Sequence, residues 1–113
     1  MLPQKHRLKL DKDIKTLYAK GRSVFGIYVG VKLMKNNLVD SRFAVAAGLK
    51  VSKKAVDRNR LKRQVRAIVH DHVNEIVSGY DLLLIVRKEA LGKKTKEIEE
   101  QLMKTLAKAK MLV

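Results

Sequence analysis

Cysteine is absent from the 113 residues, and this removes disulfides, thiolate metal sites and a cysteine nucleophile together. Tryptophan is absent as well, and two Phe and three Tyr are the whole aromatic complement. A basic amphipathic membrane binder, which favours aromatic side chains against lipid, therefore has little to work with. The longest apolar run, Leu82 to Val86, is far short of the ~20 residues a membrane span needs. Met1 to Leu10 alternates basic and apolar residues without an apolar h-region, so no signal peptide is expected. The most informative scarcity is of acids: 11 Asp plus Glu face 26 Lys plus Arg, a net charge of +15. The length suits one domain, residues 1–113, and leaves no room for a separate cofactor fold. So basic a domain repels itself unless it meets a polyanion, most commonly nucleic acid. A soluble, cytoplasmic nucleic-acid-binding domain is the expectation.

The charge is polarised along the chain. Lys50 to Arg66 holds eight basic residues and one acid, Asp57; Lys5 to Arg22 holds seven basic residues and two acids. The other acids fall mostly later, from Asp71 to Glu100. Such a distribution predicts one or two basic faces; a uniformly solubilised surface would intersperse the signs.

Hydrophobic periodicity supplies the elements. Ile14, Leu17 and Tyr18 at i, i+3 and i+4 predict a helix over 11–20, ended by Gly21. Val24 to Met34 is β-branched and aromatic and predicts a strand, with Gly26 and Gly30 as bulges or close approaches. Lys35-Asn36-Asn37 is a turn signal, and Phe43 to Ala47 predicts a second strand, antiparallel to the first. The longest helix starts between Ser52 and Asp57 and ends near Gly79. Leu61, Val65, Ile68, Val69, His72, Val73 and Ile76 form its apolar sector, and Asn59, Lys62, Arg63, Arg66 and His70 form another. Leu82 to Val86 is too short and too uniformly apolar for a helix and predicts a strand covered on both faces. A last helix over 95–108 carries Ile98, Leu102, Leu106 and Ala109, with Thr95 as its N-cap. The class is α+β, one sheet with helices on it.

The chemistry lies in Arg58-Asn59-Arg60-Leu-Lys62-Arg63-Gln-Val-Arg66. Guanidinium forks grip phosphate bidentately and stay charged. A helix N-terminus adds partial positive charge, and a rigid ridge needs little ordering on binding. Asn59 suits either an RNA contact or a helix-start cap. Arg58 projects toward the apolar sector, which fits a place before regular helix begins or a stack across the sheet edge. A solvated helix face would look similar, but it would carry more acids. The remaining polar residues do not assemble a catalyst. His70 and His72 are two apart and point to different faces, with His72 at the core edge, and His6 lies in the tail. Glu99 and Glu100 are adjacent on a helix, and no Ser or Thr has an evident His partner, so no metal ligands and no catalytic residues are assigned. Phe25, Tyr28, Phe43 and Tyr80 are expected to be core more than nucleotide platforms, although strand alternation could turn Tyr28 toward a single-strand cleft.

The Arg58-Asn59-Arg60 signature followed by Lys62, Arg63 and Arg66 strongly resembles the protein subunit of bacterial ribonuclease P. The resemblance extends to the lysine-rich stretch 50–54, to Asp13 through Tyr18 with Gly21, to Tyr80 through Arg87, and to the C-terminal helix, about residues 7–108. It implies a single-sheet α/β sandwich like the second domain of ribosomal protein S5, in the order α-β-β(-β)-α-β-α with a left-handed βαβ crossover. Most such crossovers are right-handed, so physics alone predicts the other hand. It implies a monomer bound one-to-one to the catalytic RNA, which holds the Mg2+ and removes the 5′ leader of precursor tRNA. Lys53, Lys54, Arg58, Asn59, Arg60, Lys62, Arg63 and Arg66 would bind that RNA. Ile14, Tyr18 and Tyr28 would line the leader cleft, and at the two helix positions, often aromatic in the family, only Tyr18 keeps a ring. Residues 1–8 are expected to be a flexible tail. A ribosomal or other structural RNA-binding protein is the alternative; a helix-turn-helix DNA binder is disfavoured because a strand follows the basic helix.

Overall fold

The computed structural model describes residues 3–113. Three helices, α1 (Asp11–Lys20), α2 (Ala55–His72) and α3 (Thr95–Lys108), accompany four strands, β1 (Arg22–Val24), β2 (Val29–Lys35), β3 (Arg42–Ala46) and β4 (Tyr80–Val86). The strands form one mixed sheet in the order β1-β2-β4-β3. β4 is central: it runs antiparallel to β2 and parallel to β3. Its residues Asp81 to Leu84 are all buried, as a strand covered on both faces requires.

Alternation on β2 sends Val29, Val31 and Leu33 to the face shared with Leu82, Leu84 and Val86, where α2 and α3 pack. α2 contributes Leu61, Val65, Ile68 and Val69, each worth about 1.5–3 kcal/mol on burial. The opposite face is smaller. Leu8, Leu17 and Leu83 are buried there, with Ile14, Ala44, Ala46 and Ile85 around them, so α1 covers only part of it.

Four expectations change. The apolar stretch 24–34 is two strands, because the chain folds back at Gly26, where a Cβ would lie 2.1 Å from the Val29 carbonyl oxygen. β3 does not pair with β2; β4, the most apolar strand, takes the doubly flanked position between them. The long helix ends as α-helix at His72 and continues as a 3-10 turn, Val73–Glu75. Thr95 is the first helical residue, not the cap: Glu97 reaches back to accept the Lys94 N–H at 3.3 Å, and the Thr95 hydroxyl accepts from Gln64 Nε2 at 3.0 Å. Of the expected tail 1–8, residues 1 and 2 lie outside the described ones. From Pro3 the chain is laid against β3: the Leu8 N–H donates to the Phe43 carbonyl (2.8 Å), and His6 Nδ1 is 2.8 Å from the Ser41 carbonyl oxygen.

Two polar clusters tie the elements together. Asp81, 6% exposed, accepts Arg42 Nε and Nη2 at 2.8 and 2.7 Å and Asn36 Nδ2 at 2.9 Å, and Arg42 also reaches Asp13 on α1 at 3.3 Å. Hydrogen bonding to Asp81 holds the Arg42 guanidinium above its already high ordinary pKa. His72 joins α2 to α3, with Nε2 2.7 Å from Glu99 and Nδ1 on Glu75. Hydrogen bonds to Glu99 and then Glu75 raise its pKa above the ordinary 6.5. The unfolded imidazole gives up its proton first, so this stabilisation is fully present below 6.5 and disappears as pH rises through the raised folded value. Thermal melts across that interval should show wild type and His72→Gln converging as pH rises; a constant gap would mean that the imidazolium does not clamp the helices.

Candidate nucleic-acid interface

The basic helix starts where the loop 48–54 is fastened to it. The Ser52 hydroxyl donates to the Asp57 carboxylate (2.9 Å) and accepts the Lys54 N–H (3.1 Å), and Arg58 Nη1 donates to the Ser52 carbonyl (2.9 Å). The only acid of the segment thus faces Ser52, and Arg58 is half-buried against the loop. Arg58 therefore ties the first turn of the helix to the loop backbone at Ser52, which places it at the helix start.

The remaining side chains form the ridge. Asn59, Arg60, Arg63 and Arg66 are exposed, Lys62 is half-exposed, and Lys53 and Lys54 extend the ridge at its N-terminal end. Among the described residues, none of the basic groups from Lys50 to Arg66 forms an ion pair. The opposite flank of α2 is locked into the core, so the cations stand on a rigid base. Arg60 borders a small hollow shared with Lys93, on one side of the helix. Arg66 borders another, of about 410 Å³, with Arg7, Lys9 and Ile14.

A groove of about 760 Å³ opens on the face that α1 half covers. Ala46, Ile85 and Val86 give it an apolar lining, and Tyr18, Leu49, Lys50, Arg87, Lys88 and the acid Glu89 stand around it, so three cations face one acid on its rim. Tyr18 is half exposed, with Lys32 Nζ 5.4 Å from its ring centre. The three expected cleft residues are not brought together. Ile14 packs beside Leu17 and lines the Arg66 hollow, Tyr18 lines the groove, and Tyr28 lines neither. Tyr28 lies in the turn before β2, where alternation does not yet hold. It packs on the main core with Lys93 5.9 Å from its ring centre.

Phe43 is buried and Tyr80 half-buried, as expected of core aromatics, but Phe25 is 66% exposed with the Arg87 guanidinium 4.3 Å from its ring centre. The signal that could have exposed it was the neighbouring Gly26, where of the two readings, bulge or close approach, the close approach holds and turns the chain back. Among the described residues no group of three or more His, Asp or Glu could hold a metal ion, and no helix is long and apolar enough to cross a membrane.

An unpaired cationic ridge on a rigid helix, beside a groove with an apolar lining and a basic rim, defines a class: small single-sheet α+β proteins whose surface is built for a polyanion. The sequence matches the family model described as Ribonuclease P over residues 2–110. It is 36% identical to the ribonuclease P protein component of Microcystis aeruginosa, over 98% of this chain and 96% of that one. It is 31% identical to that of Syntrophomonas wolfei, over 86% and 80%. The fold superposes on the Thermotoga maritima RNase P protein with a TM-score of 0.82 at 30% identity, covering 90% and 96% of the two chains. On the Staphylococcus aureus RNase P protein the score is 0.86 at 28% identity, covering 96% and 98%. The chain belongs to the ribonuclease P protein family, and its role is in that enzyme and in tRNA processing.

Proposed function

We propose that this chain binds the catalytic RNA of ribonuclease P through the α2 ridge and holds the 5′ leader of precursor tRNA in the groove beside α1. Lys53, Lys54, Asn59, Arg60, Lys62, Arg63 and Arg66 meet RNA, with Arg58 tying the helix start to the loop at Ser52. Tyr18 offers a ring to an unpaired base, and Lys50, Arg87 and Lys88 attract the strand's phosphates. The observation that carries this reading is the ridge, whose cations have no ion-pair partner among the described residues.

The catalytic site lies in the RNA, which holds the Mg2+ ions. What supports this division is the state of the acids: Asp13 and Asp81 engage Arg42, Glu75 and Glu99 engage His72, and Glu89 lies 3.6 Å from Arg87. Those carboxylates are taken up by the protein's own cations, and on this reading the chain's residues bind and orient. The protein acts in the cytoplasm as a monomer in a one-to-one complex. Reconstitution with a bacterial ribonuclease P RNA at low magnesium tests the proposal. Leader removal is expected from the complex and from neither component alone. Cleavage by rigorously RNA-free protein would overturn the division of labour, and copurification with ribosomal RNA in place of one long RNA would favour a structural RNA-binding role.

A further inference from the structure

Phe25 is a large apolar side chain left in solvent, yet it is held in place. Arg87 donates to the Gly26 carbonyl (Nη1 to O, 2.9 Å) while its guanidinium lies over the Phe25 ring. The turn that presents the ring is fixed from beneath, because Gly26 is buried where a Cβ would be 2.1 Å from the Val29 oxygen and 2.7 Å from the Thr105 hydroxyl. Ile27, 52% exposed, stands beside it. A hollow joins Phe25, Gly26 and Ile27 to Gln101, Lys104 and Lys108 on α3. Arg87 also lines the leader groove, so one side chain belongs to both places. Glu89 lies 3.6 Å from Arg87 Nη2 at this junction.

We infer that the single-strand path does not end in the groove. It crosses Arg87, stacks a nucleobase on Phe25, and runs on toward Lys104 and Lys108. A fixed exposed ring, backed by a guanidinium and followed by lysines, is the arrangement that binds unpaired RNA without reading its sequence. The charges suit phosphates, and an apolar partner protein would have to bury the lysines. This extension rests on the groove being the leader site. It places a stacking ring at the far end of a leader track whose α1 end carries Tyr18.

The test is a series of precursors with leaders from about 2 to about 12 nucleotides, bound to the reconstituted complex. Phe25→Ala should leave the shortest leaders unaffected and weaken the longest about five- to tenfold, while Phe25→Trp retains affinity. Tyr18→Ala, in contrast, should weaken short and long leaders alike relative to mature tRNA. If Tyr18→Ala behaves so and Phe25→Ala changes nothing at any length, the groove stands and the extension is wrong. If neither substitution discriminates leader-bearing from mature RNA, the groove assignment itself fails. A change in oligomeric state on Phe25→Ala with unaltered RNA affinity would make the ring a protein contact and overturn the inference.

Discussion

Replacing Arg60 and Arg63 together with alanine is expected to lower affinity for the catalytic RNA about a hundredfold at moderate salt. Each is an exposed guanidinium without an internal ion pair, one helical turn from the other on a helix whose far side is buried. A charge-assisted contact is worth about 1.5–3 kcal/mol, or roughly one to two powers of ten in affinity. The salt dependence reports the contact more directly than affinity does. Each phosphate contact removed should reduce the slope of log K against log salt by roughly one. Lysine at both positions should restore the slope but not the whole affinity, because an ammonium keeps the charge and loses the planar fork. Both side chains lie outside the core, so the melting temperature should stay unchanged. A salt slope equal to wild type would show that these arginines do not meet phosphates.

Asp81→Ala is expected to have the largest effect on folding, about 2–3 kcal/mol in denaturant titrations. The carboxylate is buried and accepts three hydrogen bonds. Its removal takes two acceptor contacts from the Arg42 guanidinium and one from the Asn36 amide, which keeps only the Asp40 carbonyl, and the cost is the desolvation of donors that lose an acceptor. Arg42 is partly solvated and keeps Asp13, which holds the expected loss below that of a fully buried pair. The same substitution should loosen α1, because Arg42 bridges Asp13 on that helix to the sheet, so leader affinity should fall as well. A double-mutant cycle with Arg42→Ala should recover part of the loss. A stability change within about 0.5 kcal/mol would show that water already solvates the cluster.

Helices were the most legible part of the sequence. The bounds of α1 and α3 coincide with their periodic apolar residues, and the ridge on α2 follows from the separation of Leu61, Val65 and Ile68 from Arg63 and Arg66. Strand pairing was less legible, because alternation fixes which face a residue takes and not which strand lies beside it. Nothing local distinguishes a β2–β3 hairpin from a sheet in which β4 is inserted between them. Phe25 was misplaced because it lies in the turn at Gly26, whose tightness is set by Val29 and by Thr105 on a distant helix. The network of Asp81, Arg42 and Asp13 spans three separated elements, so no spacing rule could announce it.

The central position of β4 also sets an order of assembly. A ribosome delivers α2 before it delivers residues 80–86, so the nascent basic helix at first has no complete sheet beneath its apolar stripe. A helix with an apolar face draws most of its stability from packing, and this one gains that support when β4 slots between its two neighbours and α3 closes over them. The proposed RNA grip therefore becomes available only after residues 80–86 have been made, and a transcript truncated before that strand would yield a sticky cation without a platform.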